Sequence, residues 1–169
     1  KKNSPQEVVL YNNILSLSRN KLFFTKHGLA DTFQNRIYLI FLHISFLFIK
    51  IKHDNQKKIY KIFYQKMFDL IFYNIELNMR EIGYGDVIIN KNMKFLVKKF
   101  YNILLNCENF NKKKLNSKKM FFFMYLKHNN MNKKADNGSL IEYFDQYQAF
   151  CFDLSPDSVL KGGLNFKYI

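Results

Sequence analysis

What this chain lacks already bounds what it can be. Its two cysteines, Cys107 and Cys151, stand alone, with no CxxC pair, no zinc-finger spacing and no CxxCH haem attachment. That excludes the usual zinc and thiol-redox motifs. Free, buried thiols in a reducing compartment are the expectation, and a mutual disulfide is the alternative. There is no tryptophan and there are only two prolines. No P-loop and no G-x-S-x-G is present. The four histidines are scattered, none at i+3 or i+4 from another and none in a Glu-x-x-His pair, which argues against a di-metal helix bundle. No metal site and no cofactor is expected.

A long apolar run is also missing. The richest stretch, Ile37–Ile51, spans about fifteen residues and contains His43, Ser45 and Lys50, whereas a spanning helix needs roughly twenty apolar residues. A buried core helix is expected there. The N-terminus is polar, without the apolar segment of a secretory signal. The chain begins with Lys1 rather than methionine, which leaves room for a removed N-terminal segment.

Arginine is scarce too. Of 27 basic residues only Arg19, Arg36 and Arg80 are arginine, against 13 acidic residues and a net charge of +14. The lysine excess has two sources to weigh. It matches AT-rich codon usage, as do the abundant Asn, Ile, Phe and Tyr, and it also invites a nucleic acid or an anionic membrane. Where lysine is the default cation, the three arginines point to sites that need a planar, multi-donor fork.

What is present is helical periodicity. An apolar fraction of 48% argues against disorder, and 169 residues make one domain with a real core. The spacing predicts a single all-α domain of six to seven helices over 1–169, with an irregular C-terminal tail. The first helix starts after Pro5 and ends near Arg19. The second is capped by Asp31 or Thr32 and is apolar nearly all round, which marks it as central. The third covers about 56–82 and stops at Gly83. Gly85 is expected to allow a second unusual turn, and a fourth helix to begin near Lys91 with Met93, Leu96, Val97, Phe100 and Leu104 buried. Residues 109–119 read as a polar, lysine-rich linker. A short helix over 120–127, a loop over 129–138 and a last helix over 139–150 follow.

The chemically densest stretch is Asn78-Met79-Arg80-Glu81-Ile82-Gly83-Tyr84-Gly85-Asp86. Its glycines resemble a fragment of a dinucleotide fingerprint, but they follow a helix rather than the strand that fingerprint requires. Catalysis by Glu76, Glu81 and Asp86 is the weakest of the functional readings. Arg80 at a helix end complements the helix dipole, and the loop either braces a junction or presents charge to a partner. Asp31 and Arg36 read the same two ways. Lys91, Lys94 and Lys98 share one helix face, either solvated or in contact with anionic lipid or ribosomal RNA.

Taken in order, these motifs resemble the ubiquinol–cytochrome c chaperone family, the complex III assembly factors of alphaproteobacteria and mitochondria. The resemblance rests on Leu10-Tyr11-Asn12, Ser18-Arg19-Asn20, Gly28 to Arg36, Leu42-His43, Asn78 to Asp86, Met93-Lys94, Phe100-Tyr101, and the closing Val159 to Phe166. All three arginines fall inside it. Lys167 stands where the family usually has proline, and residues 109–138 match nothing in it. The resemblance implies a non-enzymatic, all-α chaperone whose client is newly made cytochrome b. It implies peripheral work at the inner membrane, on the matrix side or the bacterial cytoplasmic face, near the ribosome and with a small partner protein. Asp31, Arg36, Arg80, Glu81, Gly83, Gly85 and Asp86 are then the candidate client-binding or bracing residues, and the two charged regions are expected to lie close together. The apolar face of the 56–82 helix is expected to offer the client surface. A basic helical module that binds RNA or the ribosome is the alternative. It requires lysines 91–99 and 112–119 to form one continuous face.

Overall fold

The computed structural model describes residues 5–53, 57–129 and 137–169. Its secondary structure is 78% helical, in seven α-helices. They are α1 (Pro5–Ser18), α2 (Phe33–His53), α3 (Lys57–Ile82), α4 (Asp86–Cys107), α5 (Leu115–Tyr125), α6 (Gly138–Asp153) and α7 (Pro156–Leu160). Single 3-10 turns lie at Lys21–Phe23 and Phe110–Lys112. Among the described residues the sole strand-like pairing is an isolated antiparallel bridge between Leu29 and His128.

The centre is α2, with fifteen of its 21 residues buried. Helices α1, α3, α4, α6 and α7 all pack against it. Among the described residues α2 alone is long and apolar enough to cross a membrane, and 83% of its apolar window is buried by the other helices. Thr32 supplies the cap: its hydroxyl accepts the Asn35 backbone N–H at 3.1 Å. Asp31, the other candidate, turns instead to Arg36.

Two polar side chains on this apolar helix hold distant segments to it. Asn35 is fully buried. Its amide donates to the carbonyls of Ala30 and Lys127 and accepts the Lys127 N–H, at 2.7, 2.8 and 3.0 Å. It thereby pins the loop before α2 to the segment after α5. His43 is fully buried as well. Its Nδ1 lies 2.6 Å from the Leu39 carbonyl. A carbonyl can only accept, so Nδ1 carries the proton and Nε2 accepts from the Tyr143 hydroxyl, 2.7 Å away. One turn on, Tyr147 donates its hydroxyl to the His43 carbonyl at 2.8 Å. Phe23, Phe144 and Tyr147 surround the imidazole with centroid separations of 4.8–5.9 Å. Burial holds His43 neutral, with its pKa lowered to about 4.

The α3–α4 junction follows from backbone chemistry. Gly83 has φ of +102°. Its N–H donates to the Arg80 carbonyl, and the Tyr84 N–H donates to the Met79 carbonyl. That is the Schellman pattern, which closes a helix on a left-handed residue. Gly85 behaves differently from expectation. It is extended, with φ of −75° and ψ of 162°, and serves as the N-cap of α4. No unusual turn is needed there, and α4 begins at Asp86, five residues before Lys91. The earlier start brings Ile89 into the core, and Ile103 and Cys107 extend the buried stripe. Met93, Val97 and Leu104 are only half-buried against it.

The segment read as a polar linker is not one throughout. Phe110 is fully buried, and α5 begins at Leu115. The predicted loop over 129–138 lies largely outside the described residues, but α6 starts within it at Gly138. The tail also contains α7. Beyond it Gly162, at φ +88°, presses against α1, where an added Cβ would sit 2.8 Å from the Gln6 carbonyl oxygen. Asn13 donates its amide to the Gly162 carbonyl at 2.8 Å. Leu164 and Phe166 are buried, and the Phe166 ring lies 5.3 Å from that of Tyr147.

Candidate functional site

Side chains of α1, α2 and α3 line a groove of about 310 Å³. Its walls are Leu15, Phe33, Ile37, Ile40, Ile75 and Ile82; Arg19, Arg36, Asn78 and Glu81 bring the charge and polarity. Three of the segments singled out in the sequence thus meet at one place, although they lie far apart along the chain. Phe33 and Ile37 also border a second, smaller cleft of about 160 Å³, with Met79, Tyr84, Phe95 and Leu96.

The charges in the groove differ in how they are engaged. Arg36 forks onto one carboxylate: Nε and Nη2 donate to the two Asp31 oxygens at 2.7 and 2.9 Å. That bond holds Asp31 below the usual carboxylate range and raises Arg36. Both side chains remain about half exposed, so the pair fixes geometry more than it adds stability. Arg19 and Glu81 line the same groove, and neither has an ion-pair partner among the described residues. Their hydrogen-bonding capacity is open to an incoming group. Beside Arg19, the Tyr11 phenol is shifted upward by burial and held back by the arginine charge.

Arg80 points away from the groove. It donates to Asp86 at 2.6 Å and to Glu76 at 3.0 Å, joining the end of α3 to the start of α4. Those two bonds raise its pKa, the Asp86 bond contributing most. The two charged regions therefore meet only in part. Arg36 and Glu81 share the groove, while Arg80, Gly83, Gly85 and Asp86 form the brace behind it. Glu76, Glu81 and Asp86 do not converge. Arg80 engages the first and third, and Glu81 faces the opposite way. No carboxylate pair of the kind needed for acid–base work is assembled from them.

The apolar face of α3 is not the open surface its composition promised. Phe63, Met67, Leu70, Ile71, Phe72, Ile75 and Met79 are buried against the rest of the bundle. On its outer side α3 exposes only separate apolar side chains, Ile59, Ile62, Tyr73, Leu77 and Ile82; others are exposed at Tyr84, Val87, Ile88 and Phe95 around the α3–α4 junction and at Leu115, Met120, Phe123 and Met124 on α5. Lys91, Lys94 and Lys98 are exposed on α4. The second lysine cluster is partly consumed inside the fold. Lys118 pairs with Asp145 at 2.7 Å and lies over the Phe110 ring, and Lys113 lies over the Phe121 ring.

The groove and its brace fall within residues 25–117 apart from the α1 wall, and over that span the sequence profile of the ubiquinol–cytochrome c chaperones matches. The match covers more than half of the chain. This protein belongs to the ubiquinol–cytochrome c chaperone family. The crystal structure of the Cbp3 homolog from Brucella abortus has the same fold, with a TM-score of 0.79 at 20% identity, over 98% of this chain and 91% of that one. No curated protein sequence matches the chain. The structural likeness extends through α5, α6 and the tail, beyond the span of the chaperone profile.

Sequence reasoning missed Asn35, Tyr143 and Tyr147. Asn35 lies in the quoted motif, but flanked by Gln34 and Arg36 in the first turn of α2 it carried no signal of burial. The two tyrosines had no local signal, because their partner His43 lies 100 or more residues away.

Proposed function

We propose that this protein is a non-enzymatic assembly chaperone for respiratory complex III that receives newly made cytochrome b in the α1–α2–α3 groove. Family membership supports the assembly role. The observation that carries the client site is the groove's combination of apolar walls with an unpaired Arg19 and Glu81. Unassembled membrane protein offers apolar helices flanked by charged loop residues. A surface with dry walls and two uncommitted charges matches such a segment better than a purely apolar patch does. The Asp31–Arg36 fork and the Arg80 brace hold the groove's rims in place. Peripheral placement at the inner membrane, where the client is inserted, belongs to the same reading, as does the expected small partner protein.

The direct test is crosslinked co-purification under native membrane conditions. Cytochrome b should be recovered with the wild-type chain and lost with the double substitution Arg19→Ala, Glu81→Ala, while Lys61→Gln, exposed on α3 away from the groove, retains it. Normal cytochrome b and complex III levels in a strain lacking the protein would sink the assignment. The alternative as an RNA or ribosome module loses ground on the internal use of Lys118 and Lys113. Tight, strongly salt-dependent RNA binding would restore it.

A further inference from the structure

The outer face of α4 has no role in the groove and is largely uncovered by the rest of the bundle; Tyr101 reaches back to α3, its ring 6.2 Å from that of Phe68. Along its 22 residues, about 33 Å of helix, Val87, Lys91, Lys94, Lys98, Tyr101 and Leu105 recur at alternating spacings of four and three. They therefore share one stripe. All six are exposed, Val87 at 83% and Leu105 at 66%. Ile88, at 52%, and Phe95, at 49%, flank it on one side. None of the three lysines has an acidic partner among the described residues. The one acidic side chain on the helix, Asp86, is held by Arg80 at its first turn.

We propose that this face of α4 docks the protein flat on an anionic phospholipid surface. Its chemistry has two parts that act together. Lys91, Lys94 and Lys98 form a patch of uncompensated positive charge on one helix face, which a sheet of phosphate headgroups complements. Val87, Ile88, Phe95 and Leu105 bracket the lysines at both ends and along one side. They stand at the depth where lysine stems can extend upward to the headgroups while short apolar side chains enter the acyl boundary. RNA would use the same lysines, but it offers nothing to bury aliphatic side chains as exposed as Val87 and Leu105. The interleaving therefore favours lipid. The mode is interfacial: α2, the helix of spanning length, stays in the core. This inference rests on the α4 surface alone and is tested without any client, so it can fail while the cytochrome b reading stands.

The experiment is flotation of the purified full chain with vesicles of phosphatidylcholine alone or of an equal mixture with phosphatidylglycerol. The wild-type chain should float with the mixed vesicles only, and added salt should weaken it. The triple substitution Lys91→Gln, Lys94→Gln, Lys98→Gln should weaken binding on the order of a hundredfold, at about fivefold per lysine, with an unchanged helical circular dichroism spectrum. The chain has no tryptophan, so Phe95→Trp supplies a single reporter. Its emission should shift to the blue and be quenched by brominated acyl chains on the mixed vesicles. Equal flotation of the triple variant would overturn the proposal, as would a reporter that stays solvent-exposed. So would a wild-type chain that ignores the vesicles but binds a single-stranded RNA oligonucleotide through the same lysines.

Discussion

The His43 hub and the outer face of α4 lie on opposite sides of one architectural divide. Around His43 every imidazole nitrogen has a partner, and three aromatic rings from two segments, the Lys21–Phe23 turn and α6, close over it. On α4, charged and apolar side chains share a face, and Lys91, Lys94 and Lys98 have no acidic partner among the described residues. The first region spends its chemistry on itself, and the second holds its chemistry open. A substitution in the hub is therefore read out as stability, and one on α4 or in the groove as binding.

The largest effect should come from His43→Ala. It deletes a fully buried ring, opens a cavity and leaves the Tyr143 hydroxyl without its acceptor. A loss of about 3–4 kcal/mol is expected from the denaturant midpoint. A loss no larger than that of a surface substitution would break the contrast between the two regions. Acid should act through the same residue. His43 titrates near 4 when folded, against 6.5 when unfolded. Between those values the unfolded chain holds the extra proton, so stability falls as pH drops. From pH 7.5 to pH 5 this amounts to about 2 kcal/mol. His27, also lowered to about 4 by burial, adds in the same direction. Thermal denaturation across that range checks it, and His43→Gln should flatten the slope without abolishing it.

Next in size is a pair that separates the roles of two glycines only two residues apart in the chain. Gly83→Ala forces a Cβ onto a left-handed residue and should cost about 1 kcal/mol. Gly85→Ala has open space and an ordinary extended φ, so it should stay within about 0.5 kcal/mol. Equal costs would mean the junction is set by something other than the Schellman turn. The smallest effect belongs to Lys98→Gln, expected within about 0.5 kcal/mol in the same unfolding measurement.

Much of the fold was legible in the sequence because its determinants are local. The apolar spacing of α1 to α4, Thr32 as a cap and Gly83 as a stop each act within a turn of where they are written. What stayed hidden was non-local. Phe110 sits among lysines and asparagines, and its burial is decided by Phe46, Phe121 and Phe122, whose rings meet it at 5.5–5.8 Å. The α3 face read as a client surface is covered by α2 and α4, which no single-helix pattern could reveal. The groove was half legible. Arg19, Arg36 and Glu81 stood out by residue type, but that Arg36 and Glu81 share a cavity while Arg80 faces away depends on which side of α3 each one leaves. Gly85 misled for a simpler reason: a glycine can accept a strained backbone without having one.

The bond from Asn13 to Gly162 spans 149 residues of chain. Closing a loop of that length is entropically late in any folding route. Helix α1 packs chiefly on α2 and α3, so the tail backs a helix those two already hold, and that helix leads into Arg19 and forms one wall of the groove. A fault near Gly162 would thus reach the groove through the back of α1, at a distance from every charged residue that lines it.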